Sequence, residues 1–190
     1  MKPNLFLAGI SGLVLAACSP GLKRYEALKE GRIVSEPARK MLVMTLKGDP
    51  ASMGAEVMGL YKTYFRLKFK GKSMFQVPTA RWPLHFDTPL DEWVAIWGLP
   101  VGDEISTLPE GTPSHHRLEV WGPGEVAEIL HVGPYERETP TIDKLKRLIE
   151  SSGYVIAGDH EEVYIKGPGA SGKKNPEKYV TIIRYAVKRK

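Results

Sequence analysis

The chain is 190 residues long, with 42% hydrophobic, 26% charged and 9% aromatic residues; Lys and Arg outnumber Asp and Glu by 27 to 22, for a net charge of +5. That composition belongs to a globular protein and excludes a disordered tail, a collagen-like repeat and a protein of many membrane spans. The positive excess is scattered, so it marks no nucleic-acid partner, and the length fits one domain or two small halves sharing a core.

The first element is an address. Lys2 is followed by an apolar run from Leu5 to Ala17. About 20 residues are needed to cross a hydrocarbon core of roughly 30 Å as a helix, so this run is too short to span. A positive start, a short apolar stretch and small residues make a secretory signal. Its end, Leu15-Ala16-Ala17-Cys18, resembles the bacterial lipobox, and Cys18 is the sole Cys of the chain. The resemblance implies a lipoprotein: a signal peptide over 1–18, cleavage before Cys18, and acylation of its thiol with palmitate-type chains. The membrane anchor would then hold the protein in the cell envelope, on the periplasmic side. Ser19 after the Cys favours the outer membrane in a Gram-negative cell. Residues 19–31 read mainly as a tether, with room for a short helix at Tyr25–Glu30.

The remainder repeats itself. At an offset of 86, Trp93 aligns with Tyr179, and Val94, Ile96 and Val101 align with Val180, Ile182 and Val187. Both stretches are rich in β-branched and aromatic residues and predict strands. At an offset of 85, Gly48 aligns with Gly133, Val57 with Ile142 and Leu60 with Leu145. Met53, Val57, Leu60, Tyr61 and Tyr64 are at helical spacing, as are Ile142, Leu145, Leu148 and Ile149. Strands over 40–47 and 125–132 precede the two glycines. Each half therefore reads strand, Gly turn, helix, strand, strand: repeat one about 32–102, a linker 103–117, repeat two about 118–188. The expected fold class is α+β, duplicated βαββ units with pseudo-twofold symmetry, antiparallel sheets, helices on one face and a central cleft. A unit of about 70 residues closes its own core poorly, and the cleft between halves is a favoured ligand position.

The second copy carries a more specific pattern. His131-Val-Gly-Pro-Tyr135 ends a strand; Gly153-Tyr154 follows the helix. Then come Gly158-Asp-His-Glu-Glu162-Val-Tyr164, a Pro176-Glu177 turn and a final strand Thr181-Ile-Ile-Arg-Tyr-Ala-Val187. In this order the pieces resemble the GyrI-like small-molecule-binding domain family, the effector-binding domain of AraC-type and MerR-type regulators. The resemblance covers 118–188 by motif and the first half by pattern. It implies a central pocket for amphipathic, often cationic, organic molecules, with the Glu of Glu-x-Tyr at its floor. Some stand-alone members hydrolyse strained electrophilic rings with an acidic residue and a Tyr. No DNA-binding helix-turn-helix precedes the domain here, which argues against a transcription factor.

Candidate ligand-binding residues follow. Glu162 and Tyr164, two apart on a strand, share one face. A carboxylate among rings needs a partner charge, which a cationic ligand would supply, with aromatic faces adding cation–π attraction. Glu161, facing the other way, is expected in solvent. Gln76 aligns with Glu162 at the offset of 86 and is expected across the cleft from it. Trp93, Trp97, Tyr185, Tyr179 and Trp82 are further wall candidates, and Tyr135 sits at the corner after Gly133-Pro134. Tyr61 and Tyr64 read as core. No local spacing of His or Cys makes a metal site, and no cofactor is expected. Gly167–Lys174 lacks the order and setting of a phosphate loop and reads as a hairpin loop. The expected function is a lipid-anchored binder of a small amphipathic, cationic molecule. The alternatives are a hydrolase using Glu162 and Tyr164, a haem or tetrapyrrole carrier of the SOUL type, and a scaffold for a protein partner.

Overall fold

The computed structural model describes residues 22–69, 75–84, 88–167 and 175–190. The signal segment with Cys18, His85 and nearly all of the 167–174 loop lie outside them. Eight strands form a single antiparallel sheet: β1 (Arg32–Glu36), β2 (Arg39–Lys47), β3 (Thr79–Trp82), β4 (Val94–Pro100), β5 (His116–Trp121), β6 (Gly124–Val132), β7 (Tyr154–Lys166) and β8 (Val180–Arg189). Two helices, α1 (Gly54–Tyr64) and α2 (Thr139–Ser151), complete the fold. The architecture is α+β, as expected, but the halves meet within one sheet. β3 and β7 are hydrogen-bonded at the seam, with Ala80 opposite Glu162.

The strand order is β1-β6-β8-β7-β3-β4-β2-β5. Exchanging β1–β4 with β5–β8 returns the same order read from the other edge. The aligned glycines are the positions that turn the chain out of β2 and β6: Gly48 has φ 115° and Gly133 φ 135°, values that a side chain would strain. The two helices form for the reason their spacing suggests. Ile142, Leu145 and Ile149 make one buried stripe on α2, Pro140 lies in its first turn, and Asp143, Lys144, Lys146 and Arg147 fill the outer positions. α1 buries Val57, Leu60, Tyr61 and Tyr64. α1 packs on β2 and β4, and α2 on β6 and β7. Both cover the sheet face that carries Trp97, Ile183 and Tyr185.

The opposite face is also an interior, which the sequence did not suggest. β1 and β2 stand first and seventh in the sheet yet are joined by only Pro37 and Ala38. Three Cα steps reach about 11 Å, whereas six strand spacings in a flat sheet cover about 29 Å. The sheet must therefore curl. The Gly122-Pro123 link from β5 to β6 imposes the same bend from the other edge. On the inner side of the curl lie Trp121 with Met41 and Val43, and Tyr25 and Leu28 with Leu130, Val180 and Ile182. Leu22–Glu30 is thus a 3-10 helix packed on the domain, and the tether reading fails over those residues because two apolar side chains bury against β6 and β8.

Between these apolar groups sits a charge network. Glu161 is 6% exposed, not solvated as expected. Its carboxylate accepts from Arg39 at 2.9 Å, Arg81 at 3.0 Å and Arg184 at 3.2 Å. Arg184 also pairs with Glu36 at 2.6 Å and Glu128 at 3.4 Å. Burial works to raise the Glu161 pKa; the three guanidiniums outweigh it and hold the carboxyl below its usual range. Among the described residues no helix is long and apolar enough to cross a membrane.

Candidate functional site

β7 is the fourth strand of eight, at the middle of the sheet, and between its two register shifts the residues 160, 162 and 164 turn toward the helices. There the sequence places His160, Glu162 and Tyr164 in succession, all buried. A structural strand would bury apolar side chains at these positions, since each unpaired polar group in such a place costs a few kcal/mol, roughly 1–3 by mutational measure. The cross-strand rows define the surroundings. Trp97 of β4, Ala80 of β3, Glu162 and Ile183 of β8 form one row. Trp82, His160 and Tyr185 form the next. Ala80 is the small member between indole and carboxylate.

The polar groups form one hydrogen-bonded chain. His160 Nε2 lies 2.6 Å from Glu162 Oε1, and the Tyr164 hydroxyl donates to Glu162 Oε2 at 2.7 Å. Where the carboxylate is ionised it only accepts, and Nε2 is then the donor of this pair. His160 Nδ1 is 2.9 Å from the Tyr185 hydroxyl. Rings surround the carboxylate. Trp97 stacks on Tyr164 with centroids 5.2 Å apart, and Tyr135 meets Tyr164 edge-on at 5.7 Å. Tyr135 also leans on Tyr179, and Trp82 packs edge-on against Trp93 and Trp97. The indole nitrogens of Trp82 and Trp97 are buried without a hydrogen-bond acceptor among the described residues. Burial raises the Tyr164 and Tyr135 hydroxyls well above the ordinary phenol range, and the charge of Glu162 adds to it. Burial does the same to Tyr185, again reinforced by Glu162.

Of the residues singled out from sequence, Glu162, Tyr164, Trp97, Tyr135, Tyr185 and Trp93 come together on this face. Trp93 belongs to the periphery, its indole donating to the Thr88 carbonyl at 2.7 Å. Gln76 is not the ladder counterpart of Glu162. It precedes β3, half-buried, with its side chain hydrogen-bonded to Tyr64 and its backbone carbonyl accepting from the Tyr61 hydroxyl at 2.8 Å. Ala80 holds the place expected for it, because the spacing between elements differs in the two halves.

Two members were missed. His160 shares the two-residue period of Glu162 and Tyr164 and was findable by that alternation. Glu138 is 1% exposed although it stands at the start of α2, where a charge ordinarily meets water. One polar atom from each of Glu138, His160 and Glu162 lies within 4.8 Å of the others. The 2.6 Å between Nε2 and Oε1 is that of a short hydrogen bond. Two ligands of one tetrahedral ion, each about 2.1 Å from it, stand roughly 3.4 Å apart. The geometry is that of an acid–base pair. His160 has both ring nitrogens engaged, so it offers no free position for a haem iron.

A cleft of about 260 Å³ opens on the other side of the sheet between the Pro37-Ala38 and Gly122-Pro123 links. Its floor is Glu161 with Arg39, Arg81 and Arg184, and Glu36, Glu125 and Asp159 on its walls oppose the excess of guanidinium charge.

Comparison with known proteins fits this arrangement. The sequence model of the GyrI-like small molecule binding domain matches residues 29–188. The chain belongs to this family. The GyrI-like fold recurs in a crystal structure of an uncharacterized conserved protein from Listeria innocua. That protein is 22% identical, with a TM-score of 0.73, over 88% of this chain and 97% of that one. A crystal structure described as a hydrolase from Listeria innocua is 22% identical, with a TM-score of 0.71, over 87% and 96% of the two chains. The EcmrR C-terminal domain is 14% identical, with a TM-score of 0.64, over 84% and 98%. At such identities the likeness is one of fold. No curated protein sequence matches the chain. A GyrI-like domain is a small-molecule-binding domain, and the buried polar row of β7 is where this one departs from a plain core.

Proposed function

We propose that this GyrI-like domain binds a small amphipathic organic molecule carrying positive charge on the helix-covered face above the β3–β7 ladder. Glu162 is the counter-charge, and Trp97, Tyr164, Tyr135 and Tyr185 are the walls. The observation that carries the reading is a carboxylate 2% exposed at the centre of the sheet, ringed by aromatic side chains. Glu162 accepts from His160 and Tyr164, and a ligand cation against the same carboxylate would gain from its charge in a place shielded from water. Each ring face adds about 0.5–2 kcal/mol of cation–π attraction, and Ala80 is the small side chain between Trp97 and Glu162.

A hydrolase would use the same Glu162 and Tyr164. Both Glu162 oxygens are already engaged, by His160 and Tyr164, which favours binding over turnover. The test is calorimetric titration of the full chain with benzyltrimethylammonium and with uncharged benzyl alcohol. The cation is expected to bind at least about tenfold more tightly, and Glu162→Gln to erase the difference. Equal affinities in the native chain would remove Glu162 from the site.

The lipobox-like end at Cys18 supports placing the domain at a membrane of the cell envelope, held by acyl chains. Cys18→Ser is then expected to move the chain from the membrane fraction to the soluble one. Retention in the membrane fraction would count against the anchor.

A further inference from the structure

We propose that the cation bound at this site also carries a neutral carbonyl oxygen, which accepts from the indole N–H groups of Trp97 and Trp82. The inference rests on the preceding reading of the site and adds a second recognition group on the ligand. All four tryptophans of the chain are buried. The fold supplies acceptors to two of them: Trp93 donates to the Thr88 carbonyl at 2.7 Å and Trp121 to the Glu119 carboxylate at 3.1 Å. Trp97 and Trp82, 1% and 3% exposed, find no acceptor among the described residues. A buried indole N–H ordinarily has one, and an unmet donor in a dry interior is costly. Trp82 meets Trp93 and Trp97 edge-on, and a ring face is a weak acceptor beside an oxygen. The two unmet donors stand where the ligand is expected. Trp97 shares the cross-strand row of Glu162, and Trp82 shares that of His160 and Tyr185.

The donors select the ligand group. An indole N–H only donates, so its partner is an acceptor. A ligand carboxylate would be repelled by Glu162. A hydroxyl brings a hydrogen that needs an acceptor of its own, and both Glu162 oxygens are already engaged. A carbonyl oxygen brings two lone pairs and no hydrogen, enough for one indole or for both. In their row Trp97 and Glu162 are separated by Ala80 alone, two strand spacings or about 10 Å between backbones. Carbonyl and ammonium then stand a few bonds apart in one molecule. The indole donors are out of water before the ligand arrives, so a carbonyl that reaches them gives up only its own hydration. The ligand class this selects is a cationic aromatic ketone, ester or amide.

The experiment is calorimetric titration of the full chain in nonionic detergent with phenylbutyltrimethylammonium and with its ketone, in which a carbonyl replaces the methylene beside the ring. The ketone is expected to bind about tenfold more tightly; in an apolar site without donors it would bind more weakly. In NMR spectra two of the indole N–H protons should move downfield with the ketone and not with the hydrocarbon cation. Trp97→Phe and Trp82→Phe each keep a ring and lose the donor, so the ketone's advantage is expected to shrink in each and to vanish in the double variant. Equal or weaker binding of the ketone by the native chain overturns the carbonyl and leaves the cation site standing. A full advantage in the double variant overturns the assignment to these indoles. Butyrophenone, which lacks the ammonium, binding as tightly as the cationic ketone would remove Glu162 as the counter-charge and leave the indole donors standing. No binding of either cation or of butyrophenone overturns both readings. Should the variants fail to fold, the native comparison and the indole resonances decide alone.

Discussion

Replacing Glu161 with Gln removes the shared anion of the network inside the curled sheet. Breaking a buried ion pair by removing one partner costs about 3–5 kcal/mol when the other is left alone. Here the partners are not left alone. Arg184, whose side chain is 6% exposed, keeps Glu36 at 2.6 Å and Glu128 at 3.4 Å. Arg39 keeps Glu36 at 3.6 Å, and Arg81 keeps the Trp121 ring, 3.7 Å from its guanidinium carbon. Arg39 and Arg81 are also a quarter exposed, so water takes up part of their loss. The expected cost is therefore about 2–3 kcal/mol, below the top of the range. With a urea slope near 2 kcal/mol/M, the unfolding midpoint falls by about 1–1.5 M. The pH dependence is a second signature. Because the guanidiniums hold Glu161 below its usual range, its contribution is complete above the unfolded value of about 4.3 and is lost as pH falls through the lower folded one. Native and variant curves should stay apart by a constant gap from pH 8 to about 5 and converge below pH 4. A midpoint shift below about 0.3 M at pH 7, or a gap that persists into strong acid, would refute the argument.

Three further outcomes follow from the same structure. Leu28→Ala, deleting a buried contact of the 3-10 helix with Leu130, Val180 and Ile182, should cost about 2–4 kcal/mol in urea unfolding; a mere tether would show no change. Ala80→Leu should destabilise by about 1–3 kcal/mol and abolish benzyltrimethylammonium binding, because a larger side chain then stands between Trp97 and Glu162; undiminished binding would put the ligand elsewhere. His116, hydrogen-bonded through Nδ1 to Thr63 at 2.9 Å, is pushed below its ordinary pKa by burial and then by His115, against Glu56. The unfolded chain takes up that proton first, so stability is full above about pH 6.5 and declines below it. The native Tm should fall more between pH 7 and 5.5 than that of His116→Gln, and equal falls would contradict the shift.

The helices and the inner strands were legible because their signals are local. Ile142, Leu145 and Ile149 repeat at helical spacing, and Gly48 and Gly133 mark turns that need a positive φ. The edge strands β1 and β5 were not. Arg32–Glu36 and His116–Trp121 mix charged and apolar residues without strict alternation, and they become strands by pairing with β6 and β2. Glu161 was misplaced because alternation tells which face a side chain takes, not whether that face meets water. The two-residue links at Pro37-Ala38 and Gly122-Pro123 close the second face, a consequence visible only with the strand order in hand. Within the site, Glu162 and Tyr164 were readable from their spacing together with the family pattern. Glu138 was not, since nothing local distinguishes a buried carboxyl at a helix start from an exposed one. The Gln76 pairing failed because one offset was carried across a loop whose length differs between the halves.

A crystal structure of the full chain with benzyltrimethylammonium would show on which side of the sheet the cation lodges. The expected position has the ammonium within about 6 Å of the Trp97 and Tyr164 ring centres and against the Glu162 carboxylate. Density for it in the cleft floored by Glu161 and Arg81, with the Glu162 side closed, would contradict the assignment.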